Sequence, residues 1–199
     1  MIMEYDDDYS IWGNEILYRM CRDRICHDDI DTVSSKLWLI GRAYSAAIER
    51  KAGVSFSIND AARIFIDSDI DKHIEIISKI NRLDATNAQA LLEAHKYVTE
   101  LLRRATGLEK RSLASKYLHF HSPSSVFIFD SLASKKVREL IRPYKQRFTV
   151  KEDKYQDKDY AGFVNRCLFY RDELLEPRLK KLVTPRRLDM ELLGYGDFE

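Results

Sequence analysis

Along most of the chain apolar residues recur at three- and four-residue spacing, and sustained alternation of apolar and polar positions is almost absent, so the pattern predicts helices and hardly any strand. Ile11, Ile16, Leu17, Met20 and Ile25 form the inner face of a first helix from Tyr9 to Cys26. The run Cys26-His27-Asp28-Asp29 interrupts it, and Asp29 or Asp31 caps a second helix expected to reach about Lys51 and to be ended by Gly53. Its stripe is Leu37, Ile40, Tyr44, Ala47 and Ile48, with small Gly41, Ala43 and Ala46 for close packing. Trp38 widens the apolar face, so this helix is expected among the most buried elements.

Ser57 or Asn59 caps a short helix over Ala61 to Ile66, and Asp69 to Leu83 carries Ile70, Ile74, Ile77 and Ile80 on one face. A longer helix starts at Asp84 or Thr86 and ends at Gly107, a glycine suited to a left-handed cap. Lys110 to His119, Ser131 to Arg142, Tyr160 to Leu175 and a short helix opened by Pro185 complete the series. The polar, charged stretch 145–158 reads as a linker or mobile loop. The expected fold class is therefore all-α: a compact multi-helix domain spanning 1–199, either a single body or two helical subdomains with a cleft between them. At 199 residues such a domain can bury a substantial core.

The formal net charge of +1 hides an asymmetry. Residues 1–50 hold ten acidic side chains against six basic ones, whereas 101–150 hold eleven basic against three acidic, so the middle of the chain could face a polyanion such as DNA. The alternative is a set of solvated helix faces. Cys21, Cys26 and Cys167 are sparse, odd in number and without C-x-x-C spacing, as expected for reduced thiols in a cytoplasmic protein. The acidic start MIMEYDDDYSIWG lacks the features of a signal peptide, and no apolar run reaches bilayer-spanning length, so no membrane association is expected.

The chain contains no phosphate-loop, dinucleotide, nucleophile-elbow or H-E-x-x-H signature. His119 and His121, read in an extended segment, would place both rings on one side, but no third ligand has metal spacing to them, and neither a metal nor another cofactor is expected. HSPSS reads as a turn, or as donors to a phosphate.

More features converge in GLEKRSLASKYLHFHSPSSVFIFDSLASKKVREL, from Gly107 to Leu140. A glycine follows a helix, then come the basic pair Lys110-Arg111, the small residues Ser112, Ala114 and Ser115, and the apolar run Val126-Phe127-Ile128-Phe129, which ends on Asp130 at a helix start. Asp130 is a natural helix cap. Over roughly residues 105–140 this order also resembles the core of the helix-hairpin-helix DNA glycosylase superfamily, whose hairpin of the form L-P-G-V-G-x-K-T-A grips the DNA backbone and whose catalytic aspartate follows an apolar segment. Thr106 and Glu109 stand where that hairpin has its proline and second glycine, and Arg111 falls on the family's lysine unless the register slips to Lys110. The resemblance implies Asp130 and Lys110 as catalytic groups. It implies Gly107, Lys110, Arg111, Lys135, Lys136 and Arg138 as nucleic-acid contacts, and Tyr117, Phe120 and Phe127 as a base pocket. Arginine cannot form a Schiff base, so a lyase step is not implied for Arg111. Two other readings stand beside this one. One is a helical interaction or regulatory protein of a bacterial defence or toxin system, with Asp130 only a cap. The other is a binder of a small anionic ligand such as a nucleotide.

Overall fold

The computed structural model describes residues 12–146, 148, 150 and 156–195, and among these all regular structure is helical. The helices are α1 (Trp12–Asp23), α2 (Ile30–Ala43), α3 (Ile58–Ile66), α4 (Ile70–Ser78) and α5 (Ala88–Thr106), followed by α6 (Arg111–His121), α7 (Ser131–Ile141) and α8 (Lys158–Phe169). A π-helical turn, Tyr170–Leu175, joins α8 to the short α9 (Glu176–Leu179), and α10 (Pro185–Leu193) closes the described chain. No described helix is long and apolar enough to cross a membrane. The expected first-helix residues Tyr9 to Ile11, and 147, 149 and 151–155 of the expected loop, lie outside the described residues.

The centre of the fold is α6. Every residue from Leu113 to Phe120 is buried, because α1, α2, α4 and α5 all pack on it. The long α5, about 28 Å by its residue count, runs beside it and stops at Gly107, whose φ of 71° gives the expected left-handed cap. Asp29, Ser57, Asp130, Asp157 and Thr184 each accept a backbone N–H from the first turn of the helix they precede.

The second helix departs from expectation. It ends at Ala43, not near Lys51, in a Schellman arrangement: Ala46 N–H donates to Gly41 O (2.8 Å), Ser45 N–H donates to Arg42 O, and Ser45 takes the left-handed position at φ 54°. A Cβ on Gly41 would stand 3.3 Å from Ala46 O, Ala47 Cα and Ile48 N, so its hydrogen lets the chain fold back across the helix end. Ala47 and Ile48 are buried by this reversal, which is why they mimic a continuing helical stripe. Trp38 is 38% exposed beneath the Arg42 guanidinium, so the helix is less enclosed than its apolar girth predicts. Ile25 lies beyond the end of α1 and is exposed, and α4 stops at Ser78, short of Leu83.

The run Val126 to Phe129 is neither helix nor strand, yet Val126, Phe127 and Ile128 are buried. Buried backbone needs partners, and side chains of two helices supply them. Ser115 Oγ accepts from Phe129 N–H (2.9 Å), His119 Nδ1–H donates to Val126 O (2.8 Å), and Tyr160 O–H donates to Phe127 O (2.9 Å). The segment is thus clamped between α6 and α8, which fixes where Asp130 emerges. The hydroxyls of HSPSS are similarly spent inward, Ser122 on Ile77 O and Ser124 on Ile80 O.

Candidate functional site

Asp130 lies at the mouth of α7, partly buried, and its Oδ1 accepts from Ala133 N–H at 2.7 Å. Its other oxygen has no hydrogen bond among the described residues. The residue also forms part of the wall of a cavity of about 500 Å³, together with Lys110, Arg111, Ser112 and Lys116 of the α6 start and with Tyr44 and Arg50 of the turn after α2. Capping and facing an open cavity are therefore both properties of the same carboxyl group. The first turns of α6 and α7 meet this cavity, and each brings the positive end of a helix dipole.

The cations differ in how they are held. Lys110 Nζ donates to the carbonyls of Arg50 and Ala47, and partial burial lowers its pKa. Arg111 is bound to Asp157 (2.6 Å), Glu109 (2.8 Å) and Asp159 (3.5 Å), so much of its charge is already neutralised. Lys116 is 4% exposed and donates to Tyr44 O (3.0 Å) and Ser112 Oγ (2.9 Å). Burial lowers its pKa, while Asp130 and Asp189 act in the opposite direction. Behind it, buried Asp189 pairs with Arg186 at 2.7 Å, and burial, with the charge of Asp130 added, pushes its pKa up to about 7 against the pull of Arg186.

The structure therefore brings Asp130, Lys110 and Arg111 into one cavity and separates the other expected site residues from it. Lys135 and Lys136 line an adjoining groove of about 300 Å³ on the exposed face of α7, and Leu132 borders both hollows. Arg138 is exposed on α7 and lines neither. Gly107 uses its N–H within the helix cap, donating to Arg103 O (2.8 Å). Tyr117 and Phe127 are fully enclosed in the core, and Phe120 faces a different cavity. The aromatic walls beside Asp130 are Tyr44 and Phe129. His119 and His121 lie on a helix, about 200° apart around its axis by helical geometry, so their rings do not share a side. Among the described residues no group of three or more His, Cys, Asp or Glu is arranged to hold a metal ion.

Sequence reasoning overlooked Lys116, Tyr44 and Asp189. Two of them left a signal: Lys116 occupies a core position of the stripe Leu113-Lys116-Tyr117-Phe120, and Asp189 does so in Leu188-Asp189-Leu192. Lys116 is held there by the Tyr44 carbonyl, which no local pattern displays, whereas the partner of Asp189, Arg186, stands one helical turn before it in the sequence.

Fold and site together define an all-α protein with a cation-rich hollow and a helix-capping carboxylate in its wall. Comparison with protein families, with curated proteins and with solved structures finds no match to this chain.

Proposed function

We propose that the hollow around Asp130 is a nucleic-acid-binding cleft, and that Asp130 acts there in releasing a base by hydrolysis of its N-glycosidic bond. The observation that carries this reading is the sharing of one cavity by Asp130 and the Lys110-Arg111 pair at the start of α6, Arg111 standing nineteen positions before Asp130 in sequence. Phosphates approach the two positive helix ends, Arg50 and Lys110, with Lys135 and Lys136 extending the basic surface past Leu132. Asp130 then faces the sugar. One oxygen remains fixed by Ala133 N–H, and the other stabilises oxocarbenium-like charge and orients the attacking water. Tyr44 and Phe129 provide the apolar walls for an extruded base. Lys110, with its lowered pKa, is the amine nearest in chain position to the family's lysine.

The test is strand cleavage of a panel of damaged duplexes after alkali, with wild type and Asp130→Asn compared beside their melting temperatures. The expected result is base release by wild type, its loss in the Asn variant, and nearly equal stability, because Asn caps helices about as well as Asp. A wild type that releases no base from any duplex removes the enzymatic reading, and an Asn variant of equal activity removes Asp130 from the reaction. Binding of duplex by the inactive variant, weakening steeply with salt, tests the cleft separately. Affinity for a free nucleotide without affinity for duplex would move the hollow to the small-anion reading.

A further inference from the structure

A second cavity, of about 480 Å³, lies at the other end of α6, between α1, α4 and α10. Its walls include Cys21, Ile74, Phe120 and Met190, with Asp71 and His121 as polar members. This size and mixture suit a small ligand with an apolar body and a few polar anchors.

His121 is the informative residue. Its Nδ1 lies 2.9 Å from the Tyr117 carbonyl oxygen, which can only accept, so Nδ1 carries the proton and Nε2 presents a bare lone pair. That Nε2 is buried and has no hydrogen-bond partner. Burial, with the charge of Lys36 added, holds the ring well below the ordinary histidine pKa, so it stays neutral. The ring is also held in place, stacked on His27 at 5.4 Å and tilted against Tyr117 at 4.8 Å. A fixed, desolvated acceptor without a donor is costly, and a ligand N–H that reached it would recover that cost.

The surrounding charge selects the sign of the ligand. Arg22 is paired with Asp23 and Arg186 with Asp189, while Glu75 is paired with Lys79. Asp71 accepts from the backbone N–H and Nδ1–H of His27, whose pKa is lowered to about 4, mainly by burial, so that ring brings it no positive charge. Lys36 acts on Asp71 without forming an ion pair with it, because its ammonium donates to the Arg24 and Ile25 carbonyls. Glu15 adds a second carboxylate at the wall, and the C-terminal end of α6 adds the negative end of its dipole.

We propose that this cavity binds a small aromatic cation bearing N–H donors, of the amidine or arylalkylamine class, with one N–H donated to His121 Nε2 and the positive charge beside Asp71. The site is independent of the Asp130 hollow and of the function proposed for it.

Benzamidine is the probe, with benzoate as the control of equal size and opposite charge. Calorimetry on the full chain is expected to show benzamidine binding and no benzoate binding. His121→Phe, which keeps a ring of similar size and removes the acceptor, is expected to weaken benzamidine about tenfold, the scale of one lost hydrogen bond to a charged donor. Met190→Trp, which fills the cavity and leaves His121 in place, is expected to abolish binding. The ¹⁵N resonance of His121 Nε2 provides a reading on unaltered protein: saturation with benzamidine moves it from the position of a bare imine nitrogen toward that of a hydrogen-bonded one. The proposal is overturned if wild type does not bind benzamidine, if benzoate binds as well, if His121→Phe binds unchanged, or if that resonance stays where it was at saturation.

Discussion

The two ends of α6 carry opposite chemistry. At its N-terminal end Lys110, Arg111 and Lys116 gather with Asp130 around a cation-rich hollow, and at its C-terminal end neutral His121 and the carboxylate of Asp71 line an apolar one. The helix dipole runs in the same sense, positive at the lysines and negative at the histidine. Buried polar groups are also tolerated differently at the two ends. The lysines donate to backbone carbonyls of the turn after α2, whereas the histidines are neutral, His27 and His119 each accepting through Nε2 and His121 keeping its Nε2 without a donor. A single buried helix thus presents a cation-rich hollow at one end and an apolar, carboxylate-lined one at the other, because each end is desolvated by a different set of neighbours.

The largest test of this contrast is acid. His27 and His119 are held neutral chiefly by burial, each with a pKa of about 4 instead of the ordinary 6.5. Below pH 6.5 the unfolded chain binds protons that the folded one refuses, so stability is complete above that pH and is lost as pH falls toward 4. Each shift of this size corresponds to roughly 3 kcal/mol, and two of them rival the whole stability of many domains. Urea midpoints measured across pH 7 to 4 are expected to fall steeply, and a flat profile would show that these rings are not buried as neutral bases.

Next in size is Phe127→Ala, expected to cost about 3–5 kcal/mol by chemical denaturation because the ring is enclosed beneath Arg171. A loss under about 1 kcal/mol would return Phe127 to the list of site residues, since only a ring facing open space is removed so cheaply.

Lys116→Met sharpens the comparison from the cationic side. An apolar side chain of similar length replaces a buried amine and leaves the Tyr44 carbonyl without its donor, so stability should fall by about 1–3 kcal/mol. Nucleic-acid affinity should fall, with a salt dependence shallower by about one phosphate contact if Lys116 reaches a phosphate. Unchanged stability would instead show that the Tyr44 carbonyl and the turn after α2 do not depend on the amine.

The smallest effect is at Asp130. Replacement by Ala should cost about 0.5–2 kcal/mol through loss of the bond to Ala133 N–H, and replacement by Asn much less. Equal losses for Ala and Asn would indicate that the charge, not the cap, stabilises the fold.

The helical class, the capping residues Asp29, Ser57 and Asp130, and the glycine end of α5 were all legible from short-range pattern, because capping and periodicity depend on neighbours within one or two turns. The end of α2 was not. Ser45 in a left-handed cap has no glycine to announce it, and the folded-back Ala47 and Ile48 continue the apolar spacing by coincidence. The candidate site was half legible. Asp130, Lys110 and Arg111 stood out in sequence, whereas Tyr44 and Arg50 reach the same hollow from a turn more than sixty positions upstream of Lys116.

The sequence by itself determined where helices begin, which faces turn inward and where charge accumulates, since those properties are written in local order. Only the tertiary structure decided which buried charges find partners. Lys36 and Lys116 sit in apolar stripes and are held there by carbonyls from other segments, whereas Asp189 pairs with Arg186 one turn back on its own helix. Tertiary packing also decided that Tyr117 and Phe127 are core, that Phe120 and His121 face a second cavity, and that Tyr44 and Phe129 are the rings beside Asp130. The physical reason is that desolvation and pairing depend on what surrounds a group in space, and residues far apart in the chain supply most of that surrounding.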